Sequence, residues 1–334
     1  MTFNITRRQF AKGTAAAAGA AALTAGLPLS ALGAIELKYG NAGPAFTSTN
    51  KFAAALFEEV GKRTGGEITA QILAGTLGGG EEALIQGMSV GTIDVYSGAF
   101  TGTREFDIFY TPYMFRDMAH AGIVANGILR SQGAAAVEEL YEAKYLGVGR
   151  AGPWTLFLNE PIETLDDLKG RKIRAPAIEG MVKGVEFVGA EPTVISFGEM
   201  KEAVSTGVVD GLVTLSDLAI LIGLQEVTNF MMRGEFGLGL DKFLISRRIW
   251  DGFTDEQQDI LVGTFAQMED TFLNQPTIAK LPGIYDEWAA ANGPDSVLDV
   301  DTAAAAISME PLNKQLADEV YGPGTWDIIK GTES

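Results

Sequence analysis

A cation stands where a strand should stop. Arg174 follows Lys172-Ile173 and precedes Ala175-Pro176, and a proline cannot donate to a continuing ladder. In open α/β sheets, ligands gather at the carboxyl ends of strands. The planar guanidinium fork matches a carboxylate through two parallel hydrogen bonds. A strand-end arginine is more often a surface ion-pair partner, so the position alone does not assign it to a ligand. Other chemistry is thinly represented. The single histidine, His120, and the complete lack of cysteine leave no His/Cys metal set, and a structural role on a helix surface is expected for His120. No G-x-S-x-G elbow accompanies it. Gly78-Gly79-Gly80-Glu81-Glu82 lacks the Lys-Ser/Thr of a phosphate loop and puts two acids where phosphate would sit. The carboxylate pairs Glu58-Glu59, Glu81-Glu82 and Asp166-Asp167 fall at first-turn or solvent-facing positions. No catalytic residue, metal ligand or cofactor is expected, and the chain does not read as an enzyme.

The positions before Ile35 read as an export leader. Thr6-Arg7-Arg8-Gln9-Phe10-Ala11-Lys12 has the order of a twin-arginine signal, an alanine-rich apolar stretch runs from Thr14 to Leu29, and Ala31-Leu32-Gly33-Ala34 offers small residues for cleavage. That stretch is dominated by Ala and Gly and interrupted by Pro28, short of the roughly 20 strongly apolar residues a span requires. The 334-residue chain carries a net charge of −18; the leader holds only Arg7, Arg8 and Lys12, which leaves −21 on the remainder. Such a surface repels nucleic acid and anionic lipid, so an anionic ligand needs a local cation. Without disulfides, the core alone must hold the fold, and about 300 residues is where single cores tend to divide in two.

Strand-type and helix-type segments alternate from Ile35 through the middle of the chain, the pattern of an α/β fold with largely parallel sheets. Ile35–Gly40 reads as a strand, Asn50–Arg63 as a helix with Phe52, Leu56 and Val60 on its buried stripe, Glu67–Leu73 as a second strand, and Ile93–Tyr96 as a third. Glu81-Glu82 suits the positive end of a helix dipole. Leu146–Leu158 reads as extended, and Thr164 with Asp167 has the spacing of a capping box. Lys172–Pro176, a helix over 178–188, a strand over 191–196, a helix over 199–206 and a strand over 208–215 form a second α/β unit. Beyond Lys242 the pattern turns helical, with Trp250–Phe272 and Ile284–Ala291 as amphipathic stretches and Pro282 and Pro294 as breaks. No sequence repeat is present after the leader.

Several short motifs in one order carry a resemblance. They are Gly65-Gly66-Glu67-Ile68, Leu77-Gly78 with Glu81-Glu82, Gly91-Thr92-Ile93-Asp94, and Pro112-Tyr113-Met114-Phe115-Arg116-Asp117. The most specific is PIETLDDLKGRKIRAP over 161–176, followed by Gly189-Ala190-Glu191-Pro192, Phe197-Gly198-Glu199-Met200 and Thr206-Gly207-Val208-Val209-Asp210-Gly211. From about Leu37 to Trp250 the chain resembles the solute-binding subunits of TRAP (tripartite ATP-independent periplasmic) transporters, the DctP family.

The resemblance implies a two-lobed periplasmic binding-protein fold of type II-like form, each lobe a mixed sheet flanked by helices, with a long hinge-spanning helix. The expected division is a leader over 1–34, lobe I over 35–151 plus about 240–279, and lobe II over 152–239 plus about 280–334. It further implies a periplasmic protein that binds a small organic acid, delivers it to the permease subunits of a membrane transporter, and meets the twin-arginine translocase during export. By the same resemblance Arg174 pairs with the ligand carboxylate, Phe197 lies against its carbon skeleton and Asn41 stands at the cleft wall. The chain departs from the common pattern where many members carry a second arginine, near Trp154, and a Glu-Asn pair, where it has Val213-Thr214. Arg150 is the alternative second cation. Trp154 and Thr214 are further candidate contacts, and Tyr96 and Phe100 candidate cleft lining. Sialic acid, which relies on the missing polar groups, is not expected.

Overall fold

The computed structural model describes residues 33–75, 80–99 and 102–333. The twin-arginine motif, Leu77-Gly78 and Phe100 lie outside the described residues. The first unit is built from β1 (Ile35–Asn41), α1 (Ser48–Arg63), β2 (Ile68–Ala74), α2 (Gly80–Val90) and β3 (Val95–Gly98). Thr47 caps α1 by accepting from Asn50 N at 3.3 Å, and Phe52, Leu56 and Val60 are buried along one face as their spacing predicts. Gly65 and Gly66, at φ 62° and 89°, take the left-handed turn that ends the helix and feeds β2. The three strands run parallel in the order β2-β1-β3.

Short helices then lead to β4 (Ala143–Leu158), the longest strand described. One of them, Met118–Val124, carries His120, which is buried at 1% exposure rather than lying on the helix surface. Its Nδ1 accepts from Arg116 N at 3.1 Å and its Nε2 faces Ile329 O at 2.8 Å. His120 therefore pins the C-terminal helix Thr325–Gly331 in its neutral form, and burial lowers its pKa.

The second unit comprises β5 (Lys172–Ala175), α3 (Glu179–Phe187), β6 (Glu191–Val194), α4 (Met200–Ser205) and β7 (Gly211–Leu215). Thr164 and Asp167 form the expected capping box ahead of it. Its strands are parallel in the order β6-β5-β7, the arrangement of the first unit again. The sequence shows no repeat, but the topology does. After α5 (Ser216–Leu221) come β8 (Phe230–Met232) and β9 (Gly237–Ser246). The helical stretch expected after Lys242 begins only at Arg247, because Lys242–Ser246 completes β9, whose ten residues are all buried.

β4 and β9 join the two units into one sheet. They pair with each other antiparallel over most of their length; β9 also pairs β3, and the C-terminal end of β4 pairs β7. Their register shifts between Arg150 and Gly152, opposite Leu240 and Gly239. A two-residue strand, β10 (Val297–Leu298), adds to β8.

Over the sheet lies a long bent helical run: α6 (Asp255–Glu269), a π-helical turn at Asp270–Asn274, and α7 (Gln275–Asn292). Pro282 sits inside α7 rather than breaking it. The ring costs one backbone hydrogen bond, and packing of the helix on both sides retains it: Phe265 meets Phe52 and Phe243 at ring separations of 5.4 and 5.1 Å, and Trp288 meets Phe157 at 5.1 Å. The expected stop at Pro294 holds, since α7 ends at Asn292. A last long helix, α8 (Thr302–Tyr321), packs on α3.

Candidate functional site

The carboxyl ends of β1 and β5, and the loops after them, open onto one cavity of about 170 Å³. Arg174 lines it although the residue is only 2% exposed. Its Nε donates to Ile195 O at 2.8 Å and one Nη1 hydrogen to Val213 O at 2.9 Å. Two of the five guanidinium N–H donors are thereby used, and the others, both on Nη2 included, have no protein partner among the described residues. Arg174 forms no salt bridge among those residues. Burial pushes the guanidinium down to about 10, with Glu81 opposing the shift, so it stays charged at neutral pH. A buried cation held only by neutral carbonyls is electrostatically incomplete.

Trp154 and Thr214 line the same cavity from neighbouring strands, β4 and β7. The Trp154 ring packs edge-on against Tyr110 at 6.1 Å, and its Nε1 is buried without a partner. Phe197, half-buried, closes the cavity from the segment after β6. Asn41 contributes to the wall at the end of β1. Its amide is already occupied: Nδ2 donates to Ser97 O at 2.8 Å and Ser97 Oγ at 3.1 Å, while Oδ1 accepts from Gly43 N at 2.8 Å and Asn50 Nδ2 at 3.1 Å. Asn41 therefore shapes the wall and holds the loop after β1.

Tyr96 is not part of the lining; it is fully buried in the core behind it, because β3 turns that side chain inward. Arg150 contributes backbone to β4 opposite Leu240, and its side chain lies outside the described residues. The structure thus brings together Arg174, Phe197, Trp154, Thr214 and Asn41.

The sequence offers Glu81 and Glu82 only as first-turn acids of a helix, and it does not single out Asp217 or Asp241. Glu81, Glu82, Asp217 and Asp241 all line the cavity. Glu81 accepts from Ala99 N at 3.1 Å. Asp241, 7% exposed, accepts from the Thr49 hydroxyl at 2.6 Å, and burial raises its pKa. Burial also pushes Asp217 up to about 6, with Lys280 opposing and Asp241 adding to the shift. Beside Asp241, Lys242 is fully buried; it donates to Tyr110 Oη at 2.8 Å and to Ala99 O, and burial pushes it down to about 8. The available signal was an Asp-Lys pair inside the apolar run Gly237–Ser246, where charges occur seldom unless they serve a site.

Among the described residues no group of His, Cys, Asp and Glu side chains is placed to hold a metal, and no helix is long and apolar enough to cross a membrane. What the fold and cavity define is a mixed α/β protein with a ligand-sized space at the strand ends of two like units. The sequence profile described as "Bacterial extracellular solute-binding protein, family 7" (DctP) matches residues 39–318. The chain belongs to this family, and it is a solute-binding protein of the TRAP transporter type. A relative, the 2,3-diketo-L-gulonate-binding periplasmic protein YiaO of Escherichia coli, is 26% identical over 313 residues, 91% of this chain and 93% of its own. The fold matches that of a TRAP periplasmic solute-binding protein from Polaromonas bound to D-erythronate, with a TM-score of 0.81 at 20% identity over 90% of this chain and 99% of the other. A Xanthobacter autotrophicus protein with bound β-D-galacturonate gives 0.77 at 23% identity over 88% and 98%.

Proposed function

We propose that this protein captures a small organic acid by pairing its carboxylate with Arg174 and passes it to the permease subunits of its transporter. The observation that carries the reading is Arg174 itself, a buried guanidinium on a cavity wall with unused donors and no salt bridge among the described residues, Glu81 acting on it only at longer range. Trp154 and Phe197 supply apolar surface for the carbon skeleton, and Thr214, whose side chain makes no hydrogen bond among the described residues, a hydroxyl. Residues 35–151 with about 240–279 form one lobe and 152–239 with about 280–334 the other. They hinge where β4 and β9 shift register, beside Arg150 and Gly239. Closure excludes water and strengthens the ion pair. Delivery to the periplasm follows the twin-arginine route that Arg7-Arg8 suggests.

Titration calorimetry of the purified protein against dicarboxylates, hydroxy acids, keto acids, sugar acids, amino acids and neutral sugars tests the assignment. At least one carboxylate binds, and Arg174→Ala weakens it by about 100-fold or more, as truncating one partner of a buried charge pair does, while circular dichroism stays native. Unchanged affinity in a folded Arg174→Ala protein would remove Arg174 from the site.

A further inference from the structure

An arginine that anchors a carboxylate explains one wall of the cavity. The opposite chemistry dominates the rest: four carboxylates, Glu81, Glu82, Asp217 and Asp241, line the same space as the single guanidinium. The nearby ammonium groups offset them only in part: Lys280 opposes the rise in pKa at Asp217 and Lys242 the rise at Asp241. Lys242 turns its Nζ to Ala99 O and Tyr110 Oη, and Lys280 donates to Ser48 Oγ at 2.8 Å. Neither Asp217 nor Asp241 forms a salt bridge among the described residues.

Two buried polar atoms of the lining residues, Asp217 Oδ1 and Trp154 Nε1, lack hydrogen-bond partners, and Trp154 is only 6% exposed. Leaving such atoms unpaired costs roughly 1–3 kcal/mol each, so a ligand that supplies partners gains from them. A plain carboxylate adds negative charge to a space already lined by four acids and gives those acids no hydrogen to accept. A hydroxyl gives them a hydrogen bond but no charge. A protonated nitrogen gives both.

We propose that the ligand is a zwitterion, its carboxylate on Arg174 and its protonated amino group on Asp217 and Asp241. This rests on the Arg174 reading above and narrows its substrate class from organic acids in general to amino-carboxylates. The ammonium bonds are charge-assisted, about twice as strong as neutral ones, and Asp241, only 7% exposed, is screened by salt less than a surface carboxylate would be.

The test is a set of near-isosteric pairs that differ in one nitrogen: proline against tetrahydrofuran-2-carboxylate, 4-aminobutanoate against 4-hydroxybutanoate, and 2-amino-2-deoxy-D-gluconate against D-gluconate. Affinities are measured by calorimetry at pH 7 for the protein and for Asp217→Asn and Arg174→Ala. In every pair that binds, the amino member is expected at least ten-fold tighter, and Asp217→Asn should shrink that preference to less than three-fold. If the oxygen member binds as tightly or more tightly and still depends on Arg174, the zwitterion is overturned and the carboxylate anchor stands. If no carboxylate of either kind binds, or binding ignores Arg174, the anchor falls and takes this inference with it.

Discussion

Asp217 sits in the first turn of the six-residue helix α5 with one carboxylate oxygen buried and unpartnered. Its pKa of about 6 is raised by burial, Lys280 on α7 opposes the shift, and Asp241 on β9 adds to it. Because the folded state favours the protonated form, the stability contributed by this group is complete below the unfolded pKa near 3.9 and lost as pH rises through about 6. Asparagine imitates the protonated acid. Ligand-free Asp217→Asn should therefore be more resistant to urea than the parent at pH 7 and scarcely different at pH 4; equal midpoints at both values would mean that the charge carries no folding penalty. His120 works in the other direction. Burial lowers its pKa, so the stability it contributes is present above about 6.5 and lost as pH falls. The two residues also mark what sequence could tell. Arg174 was legible because a strand pattern running into Pro176 fixes its place at a strand end. Asp217 was not, since an acid opening a helix is an ordinary complement to the dipole, and only the folded chain shows that this one is turned into a cavity. His120 read as a helix-surface residue because its partner, Ile329, is more than 200 positions away.

At the level of elements, the long helical run lies close on β4 because glycine leaves room for it. A Cβ on Gly147 would come within 2.2 Å of the Phe265 ring, and one on Gly149 within 2.1 Å of Leu273 Cδ2. Gly147→Ala should cost about 1–3 kcal/mol by overpacking, read as a lower urea midpoint, whereas Gly198→Ala, with nothing within 4 Å of its added carbon, should change the midpoint little. Comparable shifts in both would mean that the contact at Phe265 relaxes freely. Locally patterned elements were legible: α1 through its stripe and Gly65-Gly66, the capping box at Thr164, the strand over Lys172–Ala175. β9 was hidden over its whole length because all ten of its residues are buried and it carries charges, so period-2 alternation is absent. Pro282 misled because a proline's local cost is fixed, while the packing on Phe157 and Phe52 that outweighs it comes from the other elements.

For the whole molecule, ligand and stability are linked by mass action. A ligand at 100 times its Kd adds about 2.7 kcal/mol to the native state, which for a chain of this size raises the melting temperature by on the order of 5 °C. Thermal-shift measurements should show this for the acid that binds and lose it in Arg174→Ala; a shift that persists in the variant would point to a second binding place. The architecture behind that linkage is the pair of like units, β2-β1-β3 and β6-β5-β7, joined through β4 and β9. Alternation of strands and helices announced an α/β protein. It could not announce that the two units share a topology, because a topology repeats without any side chain repeating.

The pairing of β3 with β9 fixes Val95 opposite Ile245, and this sets an order of events during synthesis. Until the ribosome has delivered Gly237–Ser246, β3 presents a free edge to whatever is nearby, and a nascent or truncated chain ending before Gly237 carries that edge permanently. The first unit is early in the gene but late to be completed, so a premature stop in the middle of the chain yields an adhesive fragment rather than half a working protein.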